Sequence, residues 1–264
     1  EMALLTRHAA EIAGCVGPGI TLLELGSGAS VKVRVLLDAL VKPLAYLPVD
    51  VSHEHLTVSA LRLAADYPDL KVEPIYADYM QDFPVPANAE SNRLVAFFPG
   101  STIGNLHPGE AQTFLARLGC RFGTSSKLLI GVDLQKSRTR LETAYNDSRG
   151  VTAAFNLNLL ERINRELDGT FDLGGFIHRA FYDERLGRVE MHLESLWAQT
   201  AQVAGVPFCF EAGETIHTEV SYKYTVAGFR RLAEAAGWRS VECWTDGEGL
   251  FSVQLLSFGG ASPS

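Results

Sequence analysis

The sequence has no long apolar run. Apolar types make up 47% of its 264 residues, yet nowhere do they approach the roughly 18–20 in succession that span a bilayer. It opens Glu1-Met2-Ala3-Leu4-Leu5, without the basic-then-apolar pattern of a secretory signal. Cysteine is scarce and scattered. Cys15, Cys120, Cys209 and Cys243 form no C-x-x-C pair, so neither a zinc ribbon nor a redox dithiol is legible, and the four read as packing or surface thiols of a reducing, cytoplasmic compartment. No metal-ligand set is legible either, and none is expected. His53 and His55 stand two apart without a third ligand at helical spacing, and His8, His107, His178, His192 and His217 stand singly. A G-x-S-x-G elbow and a G-x-x-x-x-G-K-[ST] loop are missing, which removes the main support for hydrolase and P-loop chemistry. Positive charge is short as well: 23 Lys and Arg against 31 Asp and Glu leave a net charge of −8, a poor balance for gripping phosphate backbones. What remains is a globular chain whose expected partner is a small molecule, not nucleic acid or membrane. A monomer is the favoured oligomeric state.

What is present is a rhythm. Residues 21–25 form a short apolar run that ends at Gly26-Ser27-Gly28 and enters a helical stretch from Ser30 to about Leu40. A second run over 44–51 contains Asp50, and Ser52 follows as a helix cap. Beyond it Leu56, Ala60, Leu63 and Ala64 recur as one apolar face until Pro68. Further strands are predicted over 71–76, closing on Asp78, over 93–98 and over 127–134, with a helix over 109–119 bearing Ala111, Phe114, Leu115 and Leu118. Strands alternating with helices predict a parallel, doubly wound α/β sheet.

Near Gln135 the rhythm changes. Residues 136–167 read as mostly helical, with Val151, Phe155, Leu159, Ile163 and Leu167 spaced by four. Strand-like stretches follow around 175–182, 188–200 and 214–223, punctuated by turn signals at Gly174-Gly175 and Gly205-Val206-Pro207. Strands without helices between them predict an antiparallel unit. Thr225 then caps a helix bearing Phe229, Leu232, Ala233 and Ala236 and stopped by Gly237. The runs 239–244 and 250–257 form a hairpin that returns to the first sheet. The expected organisation is therefore a core of 1–135 and 225–264, interrupted by an inserted α+β domain at 136–224.

The first strand–helix turn is the informative place, because open doubly wound sheets bind ligands at the C-terminal ends of their strands. Gly26-x-Gly28 is present, but the third position of a dinucleotide fingerprint is Val31, which weakens a pyrophosphate reading. Asp50 closes the second strand 24 residues after Gly26, where a carboxylate accepts from ribose hydroxyls. Asp78 closes the third, where it accepts from an adenine amino group. A glycine turn followed by two strand-end acids favours S-adenosylmethionine as cofactor.

Several longer stretches carry a resemblance. They are Glu24-Leu25-Gly26-Ser27-Gly28, Pro48-Val49-Asp50-Val51-Ser52, residues 97–105 ending Gly100-Ser101-Thr102-Ile103-Gly104-Asn105, Tyr145-Asn146-Asp147 with 150–158, and Thr218-Glu219-Val220-Ser221-Tyr222-Lys223-Tyr224. Together they resemble the histidine-specific Nα-methyltransferase family, whose best known members trimethylate L-histidine to hercynine at the start of ergothioneine biosynthesis. The resemblance implies a Rossmann-like methyltransferase domain interrupted by a substrate-binding domain. It also implies residue roles. Gly26 and Lys32 would line the methionine part of the cofactor, Asp50 would hold the ribose, and Asp78 with Tyr79 the adenine end. Asn105 and Tyr145, the positions closest to catalysis, would hold the histidine backbone groups, with Gly100, Thr102 and Phe155 nearby. Glu219 and Ser221 would hydrogen-bond the imidazole, Glu219 favouring its protonated form, and Met191 would form a pocket wall. The family further implies a segment upstream of Glu1 that supplies pocket aromatics, so the chain reads as shortened.

Each role has a plainer counterpart. Asn105 could cap the helix near Pro108, Tyr145 and Phe155 could be packing aromatics, and Met191 core filler. Lys32 could be a solvated helix residue, and Glu219 with Ser221 one face of a surface strand. Other functions compatible with the scaffold are methylation of an indole amino acid or a modified histidine, and non-catalytic sensing of S-adenosylmethionine. Retention of Asn105, Tyr145, Glu219 and Ser221 argues for an amino-acid pocket.

Overall fold

The computed structural model describes residues 1–85 and 93–259. They divide into two compact units, one formed by Glu1–Leu134 together with the chain from Tyr224 onward, the other by Gln135–Lys223.

The first unit is built on one mixed sheet. Strands β1 (Thr21–Leu25), β2 (Ala45–Asp50), β3 (Lys71–Val72), β4 (Ile75–Tyr76), β5 (Leu94–Phe98) and β6 (Lys127–Asp133) run parallel. The last two strands, β12 (Trp238–Thr245) and β13 (Phe251–Phe258), add an antiparallel hairpin on the β6 side. The order is β12-β13-β6-β5-β1-β2-β3, with β4 also pairing β2. β1 is central, and the winding reverses between β1 and β5. Every residue of β1 and of β5 is buried, as expected of parallel strands covered on both faces. Helices α1 (Met2–Val16), α2 (Val31–Leu37), α3 (His53–Asp66), α4 (Pro108–Phe122) and α7 (Val226–Ala235) supply the cover. Ala111, Phe114, Leu115 and Leu118 of α4 are buried, as are Leu56, Ala60 and Leu63 of α3. Thr225 caps α7, its side chain accepting from the Gly228 amide.

Two boundaries differ from expectation. The run 71–76 is two short strands because Pro74, with no amide hydrogen to give, sits between them. Helix α2 stops at Leu37, short of Leu40, where the chain turns through Lys42 at φ 48 into Pro43.

The second unit contains α5 (Arg138–Tyr145) and α6 (Val151–Glu166), then strands β7 (Phe176–Asp183), β8 (Arg188–Ser195), β9 (Gln199–Val203), β10 (Val206–Phe210) and β11 (Thr215–Tyr222). An antiparallel sheet of order β11-β8-β7 is accompanied by a separate β9-β10 hairpin. The stretch 188–200 is therefore not one strand. Leu196, Trp197 and Ala198 turn the chain out of the first sheet before the hairpin begins. The hairpin turn lies at Ala204 and Gly205, both at positive φ, the backbone that tight two-residue hairpins require. Val206 and Pro207 consequently belong to a strand, Pro207 being tolerated in a two-stranded pair that is all edge. Helix α6 forms as the spacing predicts, but its buried positions are Asn156 and Leu160, while Val151, Phe155 and Leu159 are exposed.

β11 carries a bulge. His217 pairs His192 of β8, yet Glu219, two residues on, pairs Met191. Neighbouring residues of β8 point to opposite faces, so His217 lies on one face and Glu219 with Ser221 on the other.

Candidate functional site

In the first unit the C-terminal ends of β1 and β5 open onto a cavity of about 260 Å³ whose lining includes Gly26, Ser27, Lys32, Gly100 and Thr102. The backbone makes this space. Gly26 and Gly28 take φ of +70° and +48°, and Gly100 takes +81°, conformations that cost an L-residue with a side chain about 1–2 kcal/mol. Ser30 and Ser101 accept that cost on either side of the cavity, at φ 50 and 57. The turn is tied down by the amides of Gly26 and Ser27, which donate to the Val49 carbonyl at 2.9 and 3.2 Å. Ser101 Oγ accepts from the Asp133 amide at 2.9 Å and fixes the β5 loop to β6.

Asp50 links the loops after β1 and β2. Its Oδ2 accepts from the Gly28 amide at 3.1 Å and its Oδ1 from the Ser52 amide at 3.0 Å. Each carboxylate oxygen keeps a second lone pair, so the orienting bonds leave acceptors for a diol. Ser52, expected as a side-chain cap of α3, precedes that helix without a side-chain cap bond. Tyr79 lies against the glycine turn: a Cβ on Gly26 would stand 3.4 Å from its ring. The ring packs edge-on to Phe98 and Phe114, at centroid distances of 5.6 and 6.2 Å. Burial, then the charges of Asp50 and Asp78, push the Tyr79 hydroxyl above its ordinary pKa. Asp78 itself is exposed, one oxygen accepting from the Met80 amide.

Lys32 is not a solvated helix residue. Its ammonium pairs with the Glu1 carboxylate, which also accepts from the Gly100 amide at 2.8 Å. Beneath the turn, Glu24 is buried in β1 and accepts from the Tyr46 hydroxyl; burial raises its pKa to about 8. Asn105 ends a single 3-10 turn, Thr102–Asn105, and is exposed. It does not cap α4. That position belongs to His107, in a reciprocal capping box with Glu110.

These features fit an adenosyl cofactor with an amino-acid tail. Ser27 Oγ is buried on the cavity wall without a hydrogen-bond partner among the described residues, a cost that a polar ligand relieves. Lys32 lines the same cavity, its ammonium held there by Glu1.

In the second unit the side chains make the site. Tyr145, at the end of α5, donates to Ser221 Oγ at 2.9 Å. Lys223, only 4% exposed, donates to both hydroxyls at 2.8 Å and lies 4.9 Å from the centre of the Tyr145 ring. Ser221 thus accepts two bonds, and its own proton is left to point to a ligand. Tyr145 accepts one and donates one, and keeps a lone pair. Glu219 shares the Ser221 face; burial raises its carboxyl pKa, and the Lys223 charge draws it partly back. Met191 is buried opposite Glu219. Phe155 stands on the exposed side of α6.

Three side chains that complete this geometry escape a sequence reading. Lys223 lies inside the quoted 218–224 stretch, but nothing local shows that it is buried. Asn156 Nδ2 donates to His178 Nδ1 at 3.0 Å and to the His192 carbonyl at 3.1 Å. His178 Nε2 then donates to the Tyr145 carbonyl at 2.9 Å, which fixes the end of α5. Only the polar residue among the apolar positions of α6 hints at that chain.

A family model described as "Histidine-specific methyltransferase, SAM-dependent" matches residues 1–258. The histidine N-alpha-methyltransferase of Mycolicibacterium smegmatis is 38% identical over 260 residues, 97% of this chain and 80% of that protein. Ergothioneine biosynthesis protein 1 of Neurospora crassa is 32% identical over 266 residues, 97% of this chain and 30% of its own length. Among solved structures, the CcbJ methyltransferase from Streptomyces caelestis shares the fold, with a TM-score of 0.55 at 16% identity over 96% of this chain and 95% of that one.

Proposed function

Because the chain belongs to the family of histidine-specific, SAM-dependent methyltransferases, we propose that it methylates the α-amino group of L-histidine, through to the trimethylated product hercynine. This is the reaction expected of the first step of ergothioneine biosynthesis. One observation carries the substrate reading: Glu219 and Ser221 stand on the same face of β11, an acceptor beside a hydroxyl whose proton is left over. A neutral imidazole carries one N–H and one lone-pair nitrogen, the complement of that pair. The bonding of Ser221 therefore favours neutral imidazole over the protonated ring.

S-adenosylmethionine supplies, when bound, a methyl already activated on a sulfonium. The chain's own residues have to place an amine in line with it and keep other nucleophiles away. We assign the cofactor's methionine part to Gly26 and Lys32, its ribose to Asp50 and its adenine end to Asp78 and Tyr79. Asn105 and Tyr145 hold the amine and carboxylate of the substrate, Gly100, Thr102 and Phe155 flank it, and Met191 closes the ring pocket. The free lone pair of Tyr145 accepts an N–H of the amine and leaves the amine lone pair directed away. No strong base is required, but the α-amine of a free amino acid, more basic than a peptide's at about 8, must first lose its proton to water or a weak acceptor.

The test is product mass spectrometry after incubation with S-adenosylmethionine and either L-histidine or L-tryptophan. The expected result is one, two and three added methyl groups on histidine and none on tryptophan. Methylated tryptophan with unmodified histidine overturns the assignment; no product from either, with cofactor bound, favours a sensor.

A further inference from the structure

We propose that the second unit carries a binding site for a divalent transition metal, with Glu190, His192 and His217 as ligands and zinc as the cation their chemistry suits. The three lie on the face of the β11-β8-β7 sheet opposite Glu219 and Ser221, and the methyl-transfer assignment uses none of them. One ligand atom from each residue falls within 4.8 Å of the other two. Glu190 Oε2 is 3.0 Å from His192 Nε2 and 3.9 Å from His217 Nε2. Ligand atoms around a tetrahedral zinc bonded at about 2.0–2.1 Å stand about 3.3–3.4 Å apart, a spacing that the two carboxylate–imidazole distances bracket, while one of the nearly parallel histidine rings has to rotate to bring both lone pairs onto one ion.

Two of the three ligands are oriented from behind, as metal sites require, while His217 Nε2 donates to the Glu219 carbonyl at 3.2 Å, a bond that an ion would replace. Arg188 Nε donates to the other oxygen of Glu190, Oε1, at 2.8 Å, and so points Oε2 to the two imidazoles. Thr215 Oγ1 lies 3.2 Å from His192 Nδ1, leaving Nε2 as the inward nitrogen. The rings of His192 and His217 stack at 4.6 Å with an interplanar angle of 8°, and Phe181 stacks on His192 at 5.3 Å. The side chain of Glu190 is 11% exposed and that of His217 40%, a buried anchor with an open side for entry. Two imidazoles and one carboxylate suit zinc and its neighbours, whereas magnesium and calcium prefer oxygen sets.

The bulge creates this arrangement. Plain alternation along β11 would put His217 on the Glu219 face, away from Glu190 and His192. A bound ion would clasp β8 to β11 on one side of the bulge, while Glu219 works on the other.

The test uses the full chain. Zinc is titrated in competition with a chromophoric chelator, and Co²⁺ is added in parallel as a spectroscopic probe. The expected result is one equivalent of zinc and the visible bands of four- or five-coordinate Co²⁺. Changing orienting partners alone typically costs 10–100-fold in metal affinity, so loss of a ligand in His217→Ala should cost about a hundredfold. His217 is exposed, and a circular-dichroism melt without metal checks that this variant folds; Glu190→Gln serves as the second variant. Zinc affinity unchanged in both variants, no one-to-one binding, or zinc lost on Cys209→Ser but kept in His217→Ala would overturn the site. None of these results bears on the methylated product, so the two assignments fail separately.

Discussion

The two units offer the proposed ligands different kinds of surface. The cradle of the first is largely backbone: glycines at positive φ, amides bound to Val49, and an aspartate that ties two loops together. The cluster of the second is side chain on side chain, with Lys223 ordering the hydroxyls of Tyr145 and Ser221. A backbone cradle suits a cofactor that does not vary. A side-chain cluster can be retuned by single substitutions, as suits the part that selects an amino acid. Damage to one region should therefore leave the other's ligand alone.

The largest effect is expected under the cradle. Glu24 titrates near pH 8 in the folded chain, against an ordinary value of 4.5. Between those values the folded chain keeps a proton that the unfolded chain releases, so stability falls as pH rises through the window and levels off above it. The loss is on the order of several kcal/mol. Glu24→Gln, which imitates the neutral acid, should flatten the melting temperature between pH 5 and 9 in calorimetry. A parent that melts at the same temperature across that range removes the neutral-acid assignment.

Next in size is Lys223→Met. It removes two charge-assisted hydrogen bonds, each worth about 1.5–3 kcal/mol, and kcat/KM for histidine should drop by about a hundredfold or more. Cofactor affinity, read by titration calorimetry, should stay within about twofold. A parallel loss of both would erase the contrast between the units. Glu219→Ala should follow, weakening histidine by about 10–150-fold while affecting apolar amino acids far less; equal losses would move the imidazole elsewhere. The smallest effect belongs to Gly26→Ala. Positive φ costs a side chain about 1–2 kcal/mol, so cofactor affinity should fall about tenfold, with histidine discrimination unchanged in competition assays.

The same division explains what was readable in the residues. Gly26, Gly28 and Asp50 are legible because a positive φ and a strand-end acceptor each demand a particular residue at a particular place. The parallel sheet is legible from its alternation, and Pro74 and Ala204-Gly205 show where short-range chemistry overrides a smooth apolar pattern. Lys223, Asn156 and the Glu190–His192–His217 set are not legible. Their partners lie up to 78 residues away, and only strand register brings them together. Phe155 shows the opposite case: its spacing of four announces a helix, while the buried side of that helix is the one with Asn156 and Leu160. Periodicity finds an element more readily than it finds the element's inner side.

One extra residue in β11 gives this strand two independent workspaces. Upstream of it the side chains answer to one solvent and one set of neighbours, downstream to another, so a change at His217 need not disturb Glu219. Deleting Thr218 would take out the step yet leave His217 across from His192 and Glu219 across from Met191, so plain alternation would keep the two sides apart. A strand with such a step can acquire a new duty on one side and keep an old one on the other.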